Sequence, residues 1–263
     1  MDQRGSTLAA TVVIPARYGS TRFPAKVLAS RTGKPLIQHV VDQVRKCRRV
    51  DDIVVAADDE RIVAALRPFG TNCMLTDPNH PSGTDRVAEA AARLKGKSDV
   101  IINVQGDEPE IEPDTIDELA YRMADEGLGG YEMWTAATPF RPPADPADPN
   151  LVKVVITRNS RAMYFSRSPI PFRRDPGSGN EPTYYLHVGI YAYRRDTLVR
   201  LAGWKPTPCE QAEKLEQLRA LEHDIAIGVT VIERASHGID TREQYEQFVN
   251  RYLEEKGAKQ RVK

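Results

Sequence analysis

The stretch "DVIINVQGDEP", Asp99 to Pro109, is apolar through its centre and ends in a glycine, two acids and a proline. An apolar run of this length, bounded by polar residues, reads as a buried strand. It is the fourth of a series. "TVVIP" is β-branched and ends at a loop, "DIVVAAD" is a buried strand closing on acids, and "NCMLT" is a third. Helical patterns stand between these strands. After Pro35, residues Leu36, Ile37, Val40, Val41 and Val44 recur at helical spacing. "DERIVAALRPFG" is a short helix stopped by Pro68 and Gly70, and "GTDRVAEAAARL" is a strong helix. "EPDTIDELAYRMADEG" has Pro113 early and Gly127 at its end. Strands and helices in alternation predict an α/β fold, a mostly parallel sheet with helices on both faces. Ligands of such sheets bind outside the carboxyl ends of the strands. The loops after Ile14, Thr76 and Val104 should therefore share one rim.

The second half reads differently. "ATPFRPPADPADPN" carries five prolines and is extended rather than helical. "LVKVVIT" and "RAMYFSR" read as antiparallel strands joined near "RNS", and "YYLHVGIYAY" as a further strand. "FRRDPGSGNEPT" between them is a polar, glycine-rich loop. "CEQAEKLEQLRALEHD" reads as one amphipathic helix with Leu215, Leu218 and Leu221 inward. "IAIGVTVIE" is a late strand, and "TREQYEQFVNRYLEEK" a final helix. The expected organisation is a single domain over 8–255 with a β-rich insertion at about 135–195, preceded by a disordered tip over residues 1–7.

Lys plus Arg equal Asp plus Glu at 37 each, so no global field draws the chain to nucleic acid or to a membrane. Any anion site must be local. No apolar stretch is long enough to span a bilayer, and "LAATVVIP" lacks the cleavage pattern of a secretion signal. The three cysteines, Cys47, Cys73 and Cys209, form no CxxC pair and fit a reducing cytoplasm.

Four segments could carry chemistry. In "IPARYGSTRFPAK", Arg17, Arg22 and Lys26 follow a strand end within ten residues, with the hydroxyls of Ser20 and Thr21 among them. Arginine grips phosphate oxygens in pairs and lysine is a compact point charge. The loop is either a polyanion site or a solvated turn. "HPSGTDR" offers Ser82, Gly83 and Thr84, which could lie against a ligand, cap the following helix, or do both. In "NVQGDEP", Asp107 and Glu108 are hard oxygen donors suited to Mg²⁺, or else solvated loop acids. "GIDTRE" supplies Asp240, for which a helix cap is the plainer reading. His187 lies among apolar residues and reads as a satisfied core or rim histidine, and Tyr185, Tyr191 and Tyr193 share one strand face by packing. His39, His80, His223 and His237 are dispersed and give no zinc pattern. Neither a GxxxxGK[ST] loop nor a GxGxxG fingerprint occurs.

Taken in order, "IPARYGSTRFPAK", "HPSGTDR", "NVQGDEP", "VKVV", "YFSRSPIP", "LHVGIYAY", "LEQLRAL" and "GIDT" resemble the 3-deoxy-manno-octulosonate (Kdo) cytidylyltransferase family over about residues 10–255. The resemblance implies a Rossmann-like nucleotidyltransferase fold, a cytoplasmic homodimer formed through the insertion, and the joining of CTP to Kdo with release of pyrophosphate. The product, CMP-Kdo, feeds lipopolysaccharide biosynthesis. Carried onto matching positions, it places Pro15, Ala16, Arg17, Ser20, Arg22 and Lys26 on the triphosphate. Ser82, Gly83, Thr84, Arg86 and Gln105 lie along the nucleotide, and Asp107 and Asp240 on Mg²⁺. Gln105, Arg167, His187, Tyr191, Glu216 and Gln217 shape the sugar-acid pocket. Lys26, Arg17, Arg22, Asp107 and Asp240 form its catalytic set. The chain departs from the family pattern at Cys209, at "YEMWTAATPF" and at Gln244, where an acid is common. Alternatives are an enzyme for amino-substituted Kdo or sialic acid, a nucleotide-sugar glycosyltransferase using "GDE", and a non-catalytic nucleotide-binding module.

Overall fold

A computed structural model describes residues 9–20, 22–96, 98–125, 130–175, 183–236 and 238–261, the side chains of 258–261 excepted. The expected tip at 1–7, Thr21, Gly127, residues 176–182 of the glycine-rich loop and His237 lie outside the described residues.

The strands are β1 (Ala10–Ala16), β2 (Asp52–Ala57), β3 (Cys73–Leu75), β4 (Val100–Asn103), β5 (Met133–Pro139), β6 (Lys153–Ile156), β7 (Ala162–Ser166), β8 (Tyr185–Arg194) and β9 (Ile227–Val231). They join one sheet in the order β3-β2-β1-β4-β8-β5-β9, with β6 pairing β7 and β8 off that path. β1 is parallel to β2 and β4, β2 to β3, and β5 to β9. β8 alone in the path runs against its neighbours, pairing antiparallel with β4 and β5. The segment at 135–195 is thus woven into the main sheet through β5 and β8, with the β6–β7 hairpin branching from β8.

Side chains alternate across the sheet, so both of its faces need cover. Val12 and Ile14 of β1 join one core cluster and Val13 the other. Helices α1 (Leu36–Val44), α2 (Glu60–Leu66) and α4 (Pro113–Ala124) cover the first face, supplying Val40, Leu66 and Leu119. Helices α3 (Gly83–Arg93), α5 (Arg195–Gly203) and α7 (Gln217–Glu222) cover the second with Val87, Leu198 and Leu218. Each such side chain, fully buried, contributes about 1.5–3 kcal/mol. Local chemistry sets the helix ends. Asp59 caps α2 by accepting from the Arg61 N–H, and Gly70 closes the following turn in the left-handed region at φ 62°. Pro113 opens α4, whose Asp117 accepts from the Arg48 and Arg49 N–H groups at 2.9 and 2.8 Å, tying the segment between α1 and β2 to α4.

Two departures from the expected elements have local causes. The helix expected over "CEQAEKLEQLRALEHD" is two: α6 (Pro208–Glu213), closed by Lys214 in the left-handed region at φ 55°, and then α7. A buried Glu210–Arg219 pair, 2.7 Å from Nε to Oε2, fastens one to the other. α5 has no counterpart in the sequence reading. It follows β8 without a glycine, a proline or a side-chain cap to mark the change of period.

The last helix, α8 (Arg242–Arg261), docks on α1. The His39 ring meets Phe248 and Tyr252 edge-on at 4.9 and 4.7 Å, and its Nε2 shares a 2.7 Å hydrogen bond with the Thr32 hydroxyl. Burial, with the Lys34 charge adding to it, pushes this imidazole down to about 4. The unfolded chain, with its imidazole near 6.5, takes up the proton first as pH falls. The stability tied to neutral His39 is therefore complete above about pH 6.5 and is lost as pH falls toward 4. Melting temperatures measured across that window should drop more steeply for the native chain than for His39→Gln. Parallel curves would overturn this. No helix among the described residues is long and apolar enough to cross a membrane.

Candidate active site

The carboxyl ends of β1 and β4 and the start of α3 enclose a cleft of about 720 Å³. Pro15, Arg17, Ser20, Arg22 and Lys26 line it from the β1 side, Gly83 from α3, and Gln105, Gly106 and Asp107 from β4. The loops expected to share a rim do meet. Ala16, the last residue of β1, is buried and is not among the cleft-lining residues. Gly106 fits where it does because it has no side chain, since a Cβ there would stand 2.6 Å from the Pro15 carbonyl oxygen.

The charges are arranged tightly. Lys26 opens a 3-10 turn, Lys26–Leu28, and its side chain is only 10% exposed. Its Nζ donates to Asp107 Oδ2 at 2.7 Å and to Asp240 Oδ1 at 3.2 Å, so two carboxylates 133 positions apart converge on one ammonium. Arg22 Nη2 adds a third charge, 3.0 Å from Asp240 Oδ1. Arg17 Nη2 donates to the His80 carbonyl at 2.9 Å and so ties the β1 loop to the segment before α3. Two hard carboxylate oxygens that already share one cation form a donor set suited to a hard divalent ion, with phosphate oxygens completing the shell. No group of three or more His, Cys, Asp or Glu able to hold a metal occurs among the described residues.

Glu108, read in the sequence beside Asp107 as a second oxygen donor, turns inward instead. It is 8% exposed and accepts from the Ser236 hydroxyl at 2.7 Å. Burial pushes its carboxyl up to about 7, against the pull of that hydrogen bond. Asp240 is not the side-chain cap of α8. The Thr241 hydroxyl accepts from the Gln244 N–H, and Gln244 Oε1 accepts from the N–H groups of Asp240 and Thr241 at 2.7 and 3.0 Å. The cap frees the Asp240 carboxylate to face Lys26.

Ser82 does cap α3, accepting from the Asp85 N–H at 3.2 Å, and Thr84 sits in its first turn. Arg86 is fully buried and is not among the cleft-lining residues. One of its nitrogens, Nη1, donates to the Thr76 hydroxyl and to the Asp77 carbonyl, while Nε and Nη2 have no hydrogen-bond partner among the described residues. The proposed sugar residues are spread wider. Gln105 lines the main cleft. His187 borders a smaller hollow of about 180 Å³ with Glu108, Ser236 and Gly238. Its Nε2 hydrogen-bonds the Tyr191 hydroxyl at 2.8 Å and the Thr135 hydroxyl at 3.2 Å, and burial pushes its imidazole down to about 3, so it is neutral. Burial raises the Tyr191 phenol well above its ordinary value, with the nearby Tyr193 and Glu216 charges adding to the effect. The Arg167 guanidinium is taken up by the carbonyls of Glu213 and Pro149, at 2.7 and 2.9 Å. Gln217 is buried, and its Nε2 has no hydrogen-bond partner among the described residues. Arg167, Tyr191, Glu216 and Gln217 do not line the cleft. Sequence reasoning missed the Glu108–Ser236 pair and the helix cap at Gln244. The Thr-x-x-Gln spacing of Thr241 and Gln244 carried a signal for the cap, whereas a single serine 128 positions from its partner carried none.

A cytidylyltransferase family model matches residues 11–227. The chain is similar to the 3-deoxy-manno-octulosonate cytidylyltransferase of Geobacter metallireducens, 45% identical over 92% of this chain and 96% of the relative. A protein of the same name from Geotalea daltonii is 45% identical over 94% and 99%. Among solved structures, a CMP:2-keto-3-deoxy-manno-octonic acid synthetase complexed with CTP superposes with a TM-score of 0.87 at 39% identity, covering 94% of this chain and 99% of that one. A 4-diphosphocytidyl-2C-methyl-D-erythritol synthase from Anaerococcus prevotii, 15% identical with a TM-score of 0.60, shares the fold.

Proposed function

We propose, from the premise that the chain belongs to the 3-deoxy-manno-octulosonate cytidylyltransferase family, that it joins CTP to Kdo, giving CMP-Kdo and pyrophosphate for lipopolysaccharide biosynthesis. The observation that carries this reading is the convergence of Arg17, Arg22, Lys26, Asp107 and Asp240 at one strand-end cleft.

Arg17, Ser20, Arg22 and Lys26 would hold the triphosphate, with Ser82, Gly83 and Thr84 along the cytidine. Gln105, His187, Tyr191 and Glu216 would orient the sugar acid. Neutral His187 can donate or accept there without adding charge. The anomeric hydroxyl oxygen forms a bond to the α-phosphorus as the bond from that phosphorus to the pyrophosphate oxygen breaks, and the hydroxyl proton leaves to solvent. Phosphoryl transfer leaves the protein little covalent work, so positioning and charge neutralisation dominate. Arg17, Arg22 and Lys26 neutralise the departing pyrophosphate. Asp107 and Asp240 would hold Mg²⁺, which when bound supplies charge stabilisation at the α-phosphate. Lys26 Nζ, which stands between the two carboxylates, would then turn its charge to phosphate.

Two further readings accompany this one. CTP as substrate and three free thiols fit a cytoplasmic enzyme. Met163 and Phe172, 60% and 85% exposed on the segment at 135–195, fit a homodimer formed through it.

The test is pyrophosphate release from CTP and Mg²⁺ with a panel of sugar acids. Release should require Kdo. Release with another ulosonic acid instead would reassign the substrate. Consumption of preformed nucleotide sugar would make the protein a glycosyltransferase, and CTP binding without turnover would make it a binding module.

A further inference from the structure

We infer that Glu108 and Ser236 are positioning residues, a clasp that sets Asp240 opposite Asp107; the inference rests on the reading of those two aspartates as the metal pair. The two acids lie on segments far apart in the chain. Asp107 follows a core strand, whereas Asp240 sits on irregular backbone just before α8, with its side chain 44% exposed. An exposed acid on irregular backbone has no fixed place unless neighbouring groups supply one.

The neighbours form two anchors. Downstream, Gln244 Oε1 grips the N–H groups of Asp240 and Thr241, which fixes the residue against the first turn of α8. Upstream, the Ser236 hydroxyl donates to Glu108 Oε2 at 2.7 Å, and the Ile239 N–H donates to the Asp107 carbonyl at 2.9 Å. The two residues of the Asp107–Glu108 pair thus divide the work. The first presents its carboxylate to the cleft and its carbonyl to Ile239. The second turns inward and holds Ser236, three residues before Ile239.

An acid at Glu108 is costly to keep buried, and Ser236 makes its one side-chain hydrogen bond among the described residues. Burying a carboxyl group with so little compensation costs stability, and packing alone would be served better by an apolar side chain. A bond that reaches the segment carrying the second acid gives the buried carboxyl a purpose that packing does not. Groups that orient metal ligands from behind typically change metal affinity about ten- to a hundredfold when removed.

Mn²⁺ binding to the full chain, followed by electron paramagnetic resonance without nucleotide, reads the arrangement directly. Glu108→Ala and Ser236→Ala should each weaken Mn²⁺ binding about tenfold. Glu108→Gln keeps an acceptor for the Ser236 hydroxyl and should stay near the native affinity. The Glu108→Ala/Ser236→Ala double variant should be no weaker than Glu108→Ala alone, because the two side chains act as one unit. Native affinity in both alanine variants would overturn the inference. Glu108→Gln as weak as Glu108→Ala would also overturn it, by making the carboxylate itself a ligand. Should Glu108→Ala fail to fold, Ser236→Ala, which removes one oxygen from a half-buried residue, decides alone. A native chain that binds Mn²⁺ with this dependence but releases no pyrophosphate would overturn the proposed reaction and leave the clasp standing. Undiminished Mn²⁺ binding by Asp107→Asn would overturn the metal reading and the clasp with it.

Discussion

Turnover in Asp107→Asn should fall by on the order of a hundred- to a thousandfold at saturating Mg²⁺, about 3–4 kcal/mol of lost transition-state stabilisation. The substitution keeps the shape of the side chain and removes its charge. In the structure that charge faces Lys26 Nζ at 2.7 Å, and Asp240 faces the same nitrogen at 3.2 Å, so the two acids work on one point. Without Asp107 a cation bound there has one carboxylate instead of two. Lys26 also loses its shorter partner and becomes a weaker competitor for that position, which partly offsets the loss of metal affinity and shifts the damage toward kcat. Asp240→Asn should behave similarly. The pair of substitutions together should cost much less than the product of the two single effects, because residues acting as a unit are strongly non-additive. Melting temperature should barely move, since Asp107 is about one-third exposed and Asp240 more so. Pyrophosphate release under saturating substrate is the measurement. Native kcat in both single variants would overturn the proposed metal role of the two aspartates.

The sequence disclosed the sheet more readily than the site, and the difference follows from how far each signal reaches along the chain. The unbroken apolar run of β4 and the helical spacing of α1 are local, and both elements appear where their periods place them. The turn at Lys214 was hidden because a non-glycine residue holds the left-handed conformation there, so the leucine spacing ran on unbroken past the end of α6. α5 was hidden because nothing punctuates its junction with β8. In the site, the strand-end rule by itself places the loops after β1 and β4 together. It could not say which way Glu108 turns beside Asp107, nor that the Arg86 guanidinium is buried under side-chain and carbonyl acceptors instead of lining the cleft. Those outcomes depend on contacts between residues distant in sequence, and resemblance to a family carries positions over without carrying side-chain directions.

Gly106→Ala should be nearly as damaging as loss of an aspartate, although it removes no functional atom. The added methyl would lie 2.6 Å from the carbonyl oxygen of Pro15, well inside contact distance, and the obstructing atom is backbone that no rotamer change can move aside. One of the two loops must shift. Pro15 precedes Arg17 on the β1 side, and Gly106 directly precedes Asp107 on the β4 side, so either shift separates the cations of the β1 loop from the first acid. A displacement of about 1 Å at a positioned reacting group can cost a hundredfold in rate, and that is the expected order of loss. The strained contact should also lower the melting temperature, which sets this variant apart from Asp107→Asn. Gly83→Ala is the steric control. It faces the same proline across the same cleft, but its methyl would meet Pro15 Cγ at 3.6 Å, an ordinary contact, so its melting temperature should match the native one. If Gly106→Ala retained both native kcat and native melting temperature, the close approach of the two loops would not be what sets the cleft. If it lost stability but kept its turnover, the loops would be shown to yield without disturbing the charges they carry.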